Sequence, residues 1–103
     1  MSQCIAERRL LYTLKGSNDR KPFAIRVFAP NEVEANEVGF RFDDGAARCS
    51  VQFDGLPGIA PEETYGADSL QALQLAVNIE PILKRMNKEY DFYFPSGERY
   101  FDE

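Results

Sequence analysis

Apolar positions along this chain keep one spacing for its first half and another for its second, and the change marks out the elements. From Cys4 to Leu14 (CIAERRLLYTL), Ala6, Leu10, Tyr12 and Leu14 share one face at every second position, with Arg8 interrupting it. That alternation predicts a strand half buried on a sheet. Lys15-Gly16-Ser17-Asn18-Asp19 predicts a turn. Residues 22–29 (PFAIRVFA) predict a second strand, with Phe23, Ile25 and Val27 facing one way and Ala24, Arg26 and Phe28 the other. Pro22 suits the first position of a strand, where no ladder donor is lost.

After a polar loop from Pro30 to Asn36, alternation resumes. Val38, Phe40 and Phe42 point inward over 37–43, and Ala47, Cys49, Val51 and Phe53 over 47–53. Asp44-Gly45 between them tolerates the positive φ of a tight turn, so strands three and four predict a hairpin. Four strands joined by short links predict an antiparallel meander, because a parallel neighbour needs a long crossover. Residues 54–67 hold Gly55, Pro57, Gly58, Pro61 and Gly66 and read as one long loop. Leu56, Ile59 and Tyr65 are available to pin it to the core.

The spacing then becomes helical. Ala72, Ala76, Ile79, Leu83, Met86 and Tyr90 form one stripe flanked by Leu73 and Leu75, while Gln71, Gln74, Asn78, Arg85 and Lys88 lie opposite. Asp68-Ser69-Leu70-Gln71 has the form of a capping box, in which Asp68 accepts from first-turn amides and Gln71 reaches back. Lys84, Arg85 and Lys88 complement the dipole at the far end. Pro81 predicts either a bend near Asn78–Glu80 or a break with Pro81 opening a second short helix. Glu80 projects close to the buried stripe. It reads either as a carboxylate paired with Arg8 or another strand arginine, or as a recessed functional carboxylate.

Residues 90–101 (YDFYFPSGERYF) place a strand on each side of the turn Pro95-Ser96-Gly97. Six of the chain's thirteen aromatic residues fall there: Tyr90, Phe92, Tyr93, Phe94, Tyr100 and Phe101. Neighbours on a strand point to opposite sides, so some are covered by the long loop or exposed for a partner. The expected fold class is α+β: an antiparallel four-stranded meander packed on one long, Pro-kinked helix. A C-terminal β-hairpin extends the sheet or stands beside it, and residues 1–103 form a single domain.

Composition narrows the function classes. At 103 residues the chain can bury one core. No apolar run approaches the roughly 20 residues of a membrane helix, and the N-terminus lacks the apolar stretch of a signal peptide, so the expected address is the cytoplasm. There Cys4 and Cys49 are expected reduced, Cys49 as a small core residue and Cys4 exposed near the terminus. The net charge of −5 is unevenly spread: residues 1–30 carry six Lys/Arg against two Asp/Glu, residues 31–68 two against nine, and residues 69–103 four against six. Such a chain repels nucleic acid, while its acidic middle suits a basic protein partner.

The chain contains no histidine, which excludes Ser-His-Asp and Cys-His nucleophilic sites. Two cysteines cannot supply the usual zinc ligand sets, and no phosphate-cradling glycine loop or calcium loop is present. Glu62/Glu63, Asp43/Asp44 and Glu80 are the candidates for carboxylate chemistry, but the first two pairs occupy ordinary loop and turn positions. The expectation is a non-enzymatic protein with no cofactor and no metal.

The segment GADSLQALQLAVNIEPIL, residues 66–83, resembles the Gly-x-Asp-Ser/Ala-x-Gln-Ala-Leu-x-Leu-Ala helix of a group of small uncharacterised bacterial proteins. Their chains also begin like IAERRL here and end in an aromatic strand with Phe-Pro, as at Phe94-Pro95. The resemblance implies a layout and no activity. By analogy with small acidic bacterial proteins of this build, the expected role is a protein-binding module, best a toxin-neutralising immunity or inhibitor protein. Its partner surface is expected at Glu32, Glu34, Glu37, Asp43, Asp44, Glu62, Glu63, Tyr65, Tyr93 and Tyr100. The alternatives left open are a small-ligand-binding domain, with a pocket between sheet and helix around Glu80, and a structural or dimerisation domain acting as a homodimer.

Overall fold

The computed structural model describes residues 3–32 and 46–101. Their order is β1 (Cys4–Leu14), β2 (Lys21–Phe28), β3 (Asn31–Glu32), β4 (Ala47–Asp54), β5 (Glu62–Gly66), α1 (Ser69–Val77), α2 (Glu80–Met86) and β6 (Tyr90–Tyr93). The fold is α+β: one antiparallel sheet covered on one face by a helix bent at Asn78–Ile79. Among the described residues no helix is long and apolar enough to cross a membrane.

Among the described residues six strands make up the sheet, not four. β4 pairs directly with β2 (Ile25 opposite Phe53, Val27 opposite Val51), and β3 pairs with β4 one residue out of that register (Asn31 opposite Arg48). β3 is therefore the far end of the same strand, bent at Ala29–Pro30, where Pro30 has no ladder donor to give. β5 occupies the other edge of β4, and β6 pairs with β1. The lateral sequence is thus β5, β4, β2 with β3, β1, β6. The meander expectation gives way here, because β4 lies beside β2. The predicted strand 37–43 and the turn at Asp44-Gly45 lie outside the described residues.

The expected loop at 54–67 is also corrected. Its second half, Glu62–Gly66, is β5, and 55–61 and Ala67 stay irregular, with Leu56 buried and Ile59 packed on the core. Glu62 and Glu63 hide the strand in the sequence; the free edge of β4 creates it. The C-terminal hairpin forms one strand only. Across the turn from β6, pairing is reduced to a single bridge between Tyr93 and Arg99. Tyr90, expected on the helix stripe, starts β6, since the helix ends at Met86.

The remaining periodicities hold in their central parts, while Ala6 and Leu14, expected on the inner face of β1, are exposed. Leu10, Tyr12, Phe23, Ile25, Val27, Cys49, Val51, Phe53, Tyr90 and Phe92 form the inner face of the sheet, and Ala72, Ala76, Ile79 and Leu83 close over them. Asp68 caps α1 by accepting from the Gln71 amide at 2.8 Å, and Gln71 Oε1 accepts from the Ala67 amide at 2.6 Å. Pro81 stands in the first turn of α2, as the second of the two sequence readings expects. Gly66 seats the strand-to-helix corner: a Cβ there would lie 2.5 Å from the Ala72 nitrogen. The Thr64 hydroxyl donates to the Ala72 carbonyl at 2.8 Å across the same joint.

Candidate functional site

Both helical segments lie on the inner face, so the opposite face of the sheet is built from the alternate residues of each strand. On β1 these are Glu7, Arg9 and Leu11, on β2 Ala24 and Arg26, and on β4 Gln52 and Asp54. The register sets Glu7 directly opposite Arg26, and these groups join in a chain. Arg9 Nε donates to Glu7 at 2.7 Å, Arg26 Nε to the other Glu7 oxygen at 2.8 Å, and Arg26 NH1 to Asp54 at 2.5 Å. The hydrogen bonds from Arg26 and then Arg9 hold the Glu7 carboxyl below the usual glutamate range, and Glu7 and Asp54 raise Arg26 in return.

Beside this ion chain the outer face sinks into a groove of about 400 Å³. Leu11, Pro22, Ala24 and Pro95 form its apolar part, with Arg9, Arg26 and Asp54 at its rim. Gly55, at φ 98°, closes one end, where the backbone turns against Pro22 and Phe23. The volume falls in the range of about 300–1,000 Å³ typical of binding pockets. An apolar floor with a charged rim is also the anatomy of a protein interface, in which arginine is enriched.

Glu80, singled out from the sequence, is half exposed and paired. Its carboxylate accepts from the Tyr100 hydroxyl and lies 3.5 Å from Arg8 NH1, and Arg8 donates to the same hydroxyl at 2.7 Å. The reading of Glu80 as a partner of Arg8 matches this geometry. Burial, and then the bond to Glu80, push the Tyr100 phenol above its ordinary value, against the opposing charge of Arg8. The recess next to Arg8, between the sheet and the end of α1, measures about 130 Å³, below the usual size of a ligand pocket.

The expected partner residues do not gather into one patch. Glu34, Glu37, Asp43 and Asp44 lie outside the described residues. Glu32 is exposed on β3. Glu62 turns to the helix side and pairs with Arg85 at 3.3 Å. Glu63 accepts from the Tyr65 hydroxyl at 2.9 Å, which raises that phenol, with Arg48 opposing. Tyr93 lies on β6 under the guanidinium of Arg20, 4.0 Å from its ring centre. Tyr65 and Tyr93 therefore stand on opposite edge strands, separated by roughly 19 Å at the usual strand spacing. Tyr100 belongs to the Arg8–Glu80 cluster. The groove residues Arg9, Leu11, Ala24, Arg26 and Asp54 were not singled out from the sequence. Their signal was there, in the alternation of Glu7, Arg9 and Leu11 against the core positions, but only the pairing register brings them together.

Among the described residues no group of three or more Cys, Asp or Glu is placed to hold a metal ion. No family model, curated protein or solved structure matches the chain.

Proposed function

We propose that the protein is a non-enzymatic binding module that holds a partner protein on the outer face of its sheet, in the role of a toxin-neutralising immunity or inhibitor protein. The observation that carries this reading is the groove of about 400 Å³, set on the face opposite the helices, with an apolar floor and a rim of Arg9, Arg26 and Asp54. An apolar anchor of the partner would seat against Leu11 and Pro95. Arg9, whose side chain is 75% exposed, can leave Glu7 to meet a partner's carboxylate or carbonyl groups. Arginine is among the residue types that carry the most energy once a partner covers them.

The test is co-expression with the product of the neighbouring gene, with complex formation read by size-exclusion chromatography and toxicity by cell survival. The proposal expects a complex and rescue, both lost in Leu11→Glu with an unchanged circular dichroism spectrum. No complex and no rescue by the wild-type chain sinks it. A complex insensitive to Leu11→Glu moves the interface to another face.

A further inference from the structure

The helix α1 is assembled the wrong way round for a simple cover. It buries two alanines, Ala72 and Ala76, and turns larger apolar side chains outward: Leu70 is 63% exposed and Val77 50%. Leu75 is exposed too, on the opposite flank, so this nine-residue helix carries three of the six large exposed hydrophobics among the described residues. It also contains no charged residue, in a chain where 28% are charged. Exposed apolar surface without charge is what the centre of an interface looks like.

We infer that α1 is a homodimer interface, in which a second copy of this chain packs its own α1 antiparallel against the first. Two features of the helix choose this occupant. A two-fold interface sets the same patch against itself, so a patch dominated by one sign would meet its like, and the chain carries a net charge of −5; the uncharged α1 flank is free of that repulsion. The flank is also complementary to itself. Leu70 and Val77 lie on one stripe seven residues apart, roughly 10 Å along the axis. An antiparallel crossing places Leu70 of each copy over Val77 of the other. Val77 borders the recess of about 130 Å³ between the helix end and the sheet, where Ala6, Ile25, Val27 and Ile79 form apolar walls. Leu70 is the knob and the recess is the hole, and the symmetry uses both twice. The charged groups at the recess mouth are already engaged, Arg8 with Glu80 and Glu7 with Arg26.

A nine-residue helix offers a short contact, so the dimer belongs to the small, readily dissociating class. This surface lies on the helical side and is independent of the outer groove. Sedimentation of the full chain over about a hundredfold range of concentration tests it. The wild-type mass should climb from 11.7 kDa toward twice that value, while Leu70→Glu and Val77→Lys each stay at the monomer mass with unchanged circular dichroism. Leu75→Glu, on the other flank, should associate as wild type does. Mixing Leu70→Glu chains with Val77→Lys chains should restore the dimer, because the antiparallel register brings those two positions together. A wild-type monomer at every concentration, association that survives Leu70→Glu, or no rescue in the mixture would each overturn the proposal.

Discussion

The guanidinium of Arg8 donates a 2.7 Å hydrogen bond to the phenol oxygen of Tyr100, ninety-two positions away in sequence. That oxygen donates in turn to Glu80, so one hydroxyl ties the first strand and the start of α2 to the chain's last aromatic turn. Tyr100→Phe keeps the ring and removes both bonds. The partners are half exposed and partly resolvated by water, so the expected loss is about 1 kcal/mol or less, a fall in Tm of up to roughly 4–8 °C. Calorimetry checks it, and an unchanged Tm would show that the cluster adds nothing.

Two of the five tyrosines, Tyr65 and Tyr100, are pushed above the ordinary value of 10.0. A raised phenol means that the fold prefers the neutral form. Its contribution is complete below pH 10 and fades as the pH climbs through the folded value. Alkaline absorbance titration should show late-ionising tyrosine, and Tyr100→Phe should remove part of that late amplitude. A titration with no tyrosine ionising above the ordinary value contradicts the assigned surroundings of Tyr65 and Tyr100.

Glu7 is displaced in the opposite direction, held low by Arg26 and Arg9. Its stabilising share is present above the usual glutamate value of 4.5 and disappears as the pH drops through the lower folded value. Glu7→Gln should therefore be less stable than wild type at neutral pH, and the two denaturant midpoints should converge in acid. A gap that stays constant with pH would remove Glu7 from the acid response.

Gly66 has an ordinary φ, yet a methyl group there would meet the Ala72 nitrogen at 2.5 Å and the Gln71 carbonyl carbon at 2.9 Å. Both are main-chain atoms and cannot swing aside. Gly66→Ala should destabilise by roughly 1–3 kcal/mol through overpacking. At Gly58, where nothing lies within 4 Å, alanine should lose only the roughly 1 kcal/mol set by its φ of 77°. Denaturation of the two variants side by side tests the difference, and an equal loss argues against a tight corner.

Thr13 is 2% exposed, and its Oγ1 finds no hydrogen-bond partner among the described residues. Thr13→Val keeps the shape and removes an unsatisfied hydroxyl. It should stabilise the protein by about 1 kcal/mol, read as a shifted urea midpoint at constant slope. A destabilised variant would mean that the hydroxyl is satisfied in solution.

Much of this fold could be read from local pattern. β1, β2 and β4 announce themselves by alternation, and the helix by its stripe, its cap at Asp68 and its break before Pro81. β5 could not be read, because its two glutamates look like loop and its order comes from the vacant edge of a strand far away in sequence. The order of strands was hidden for the same reason: nothing near Ile25 says that Phe53 will be its neighbour. The candidate groove was harder still. Counting acids picked out Glu62, which pairs with Arg85, and passed over Arg9 and Leu11, which only the pairing across the sheet brings to one groove.

The corner formed by Gly66, Asp68 and Gln71 has a bearing on how such a chain is compared with others. Each residue in it meets a mechanical demand: room for two backbones to touch, a start for the helix, a tether for the bend. Any protein obliged to make that corner will tend to spell it in similar letters, whatever its trade. Shared spelling at this place is the mark of common carpentry, and kinship of purpose has to be sought on the faces the corner leaves free.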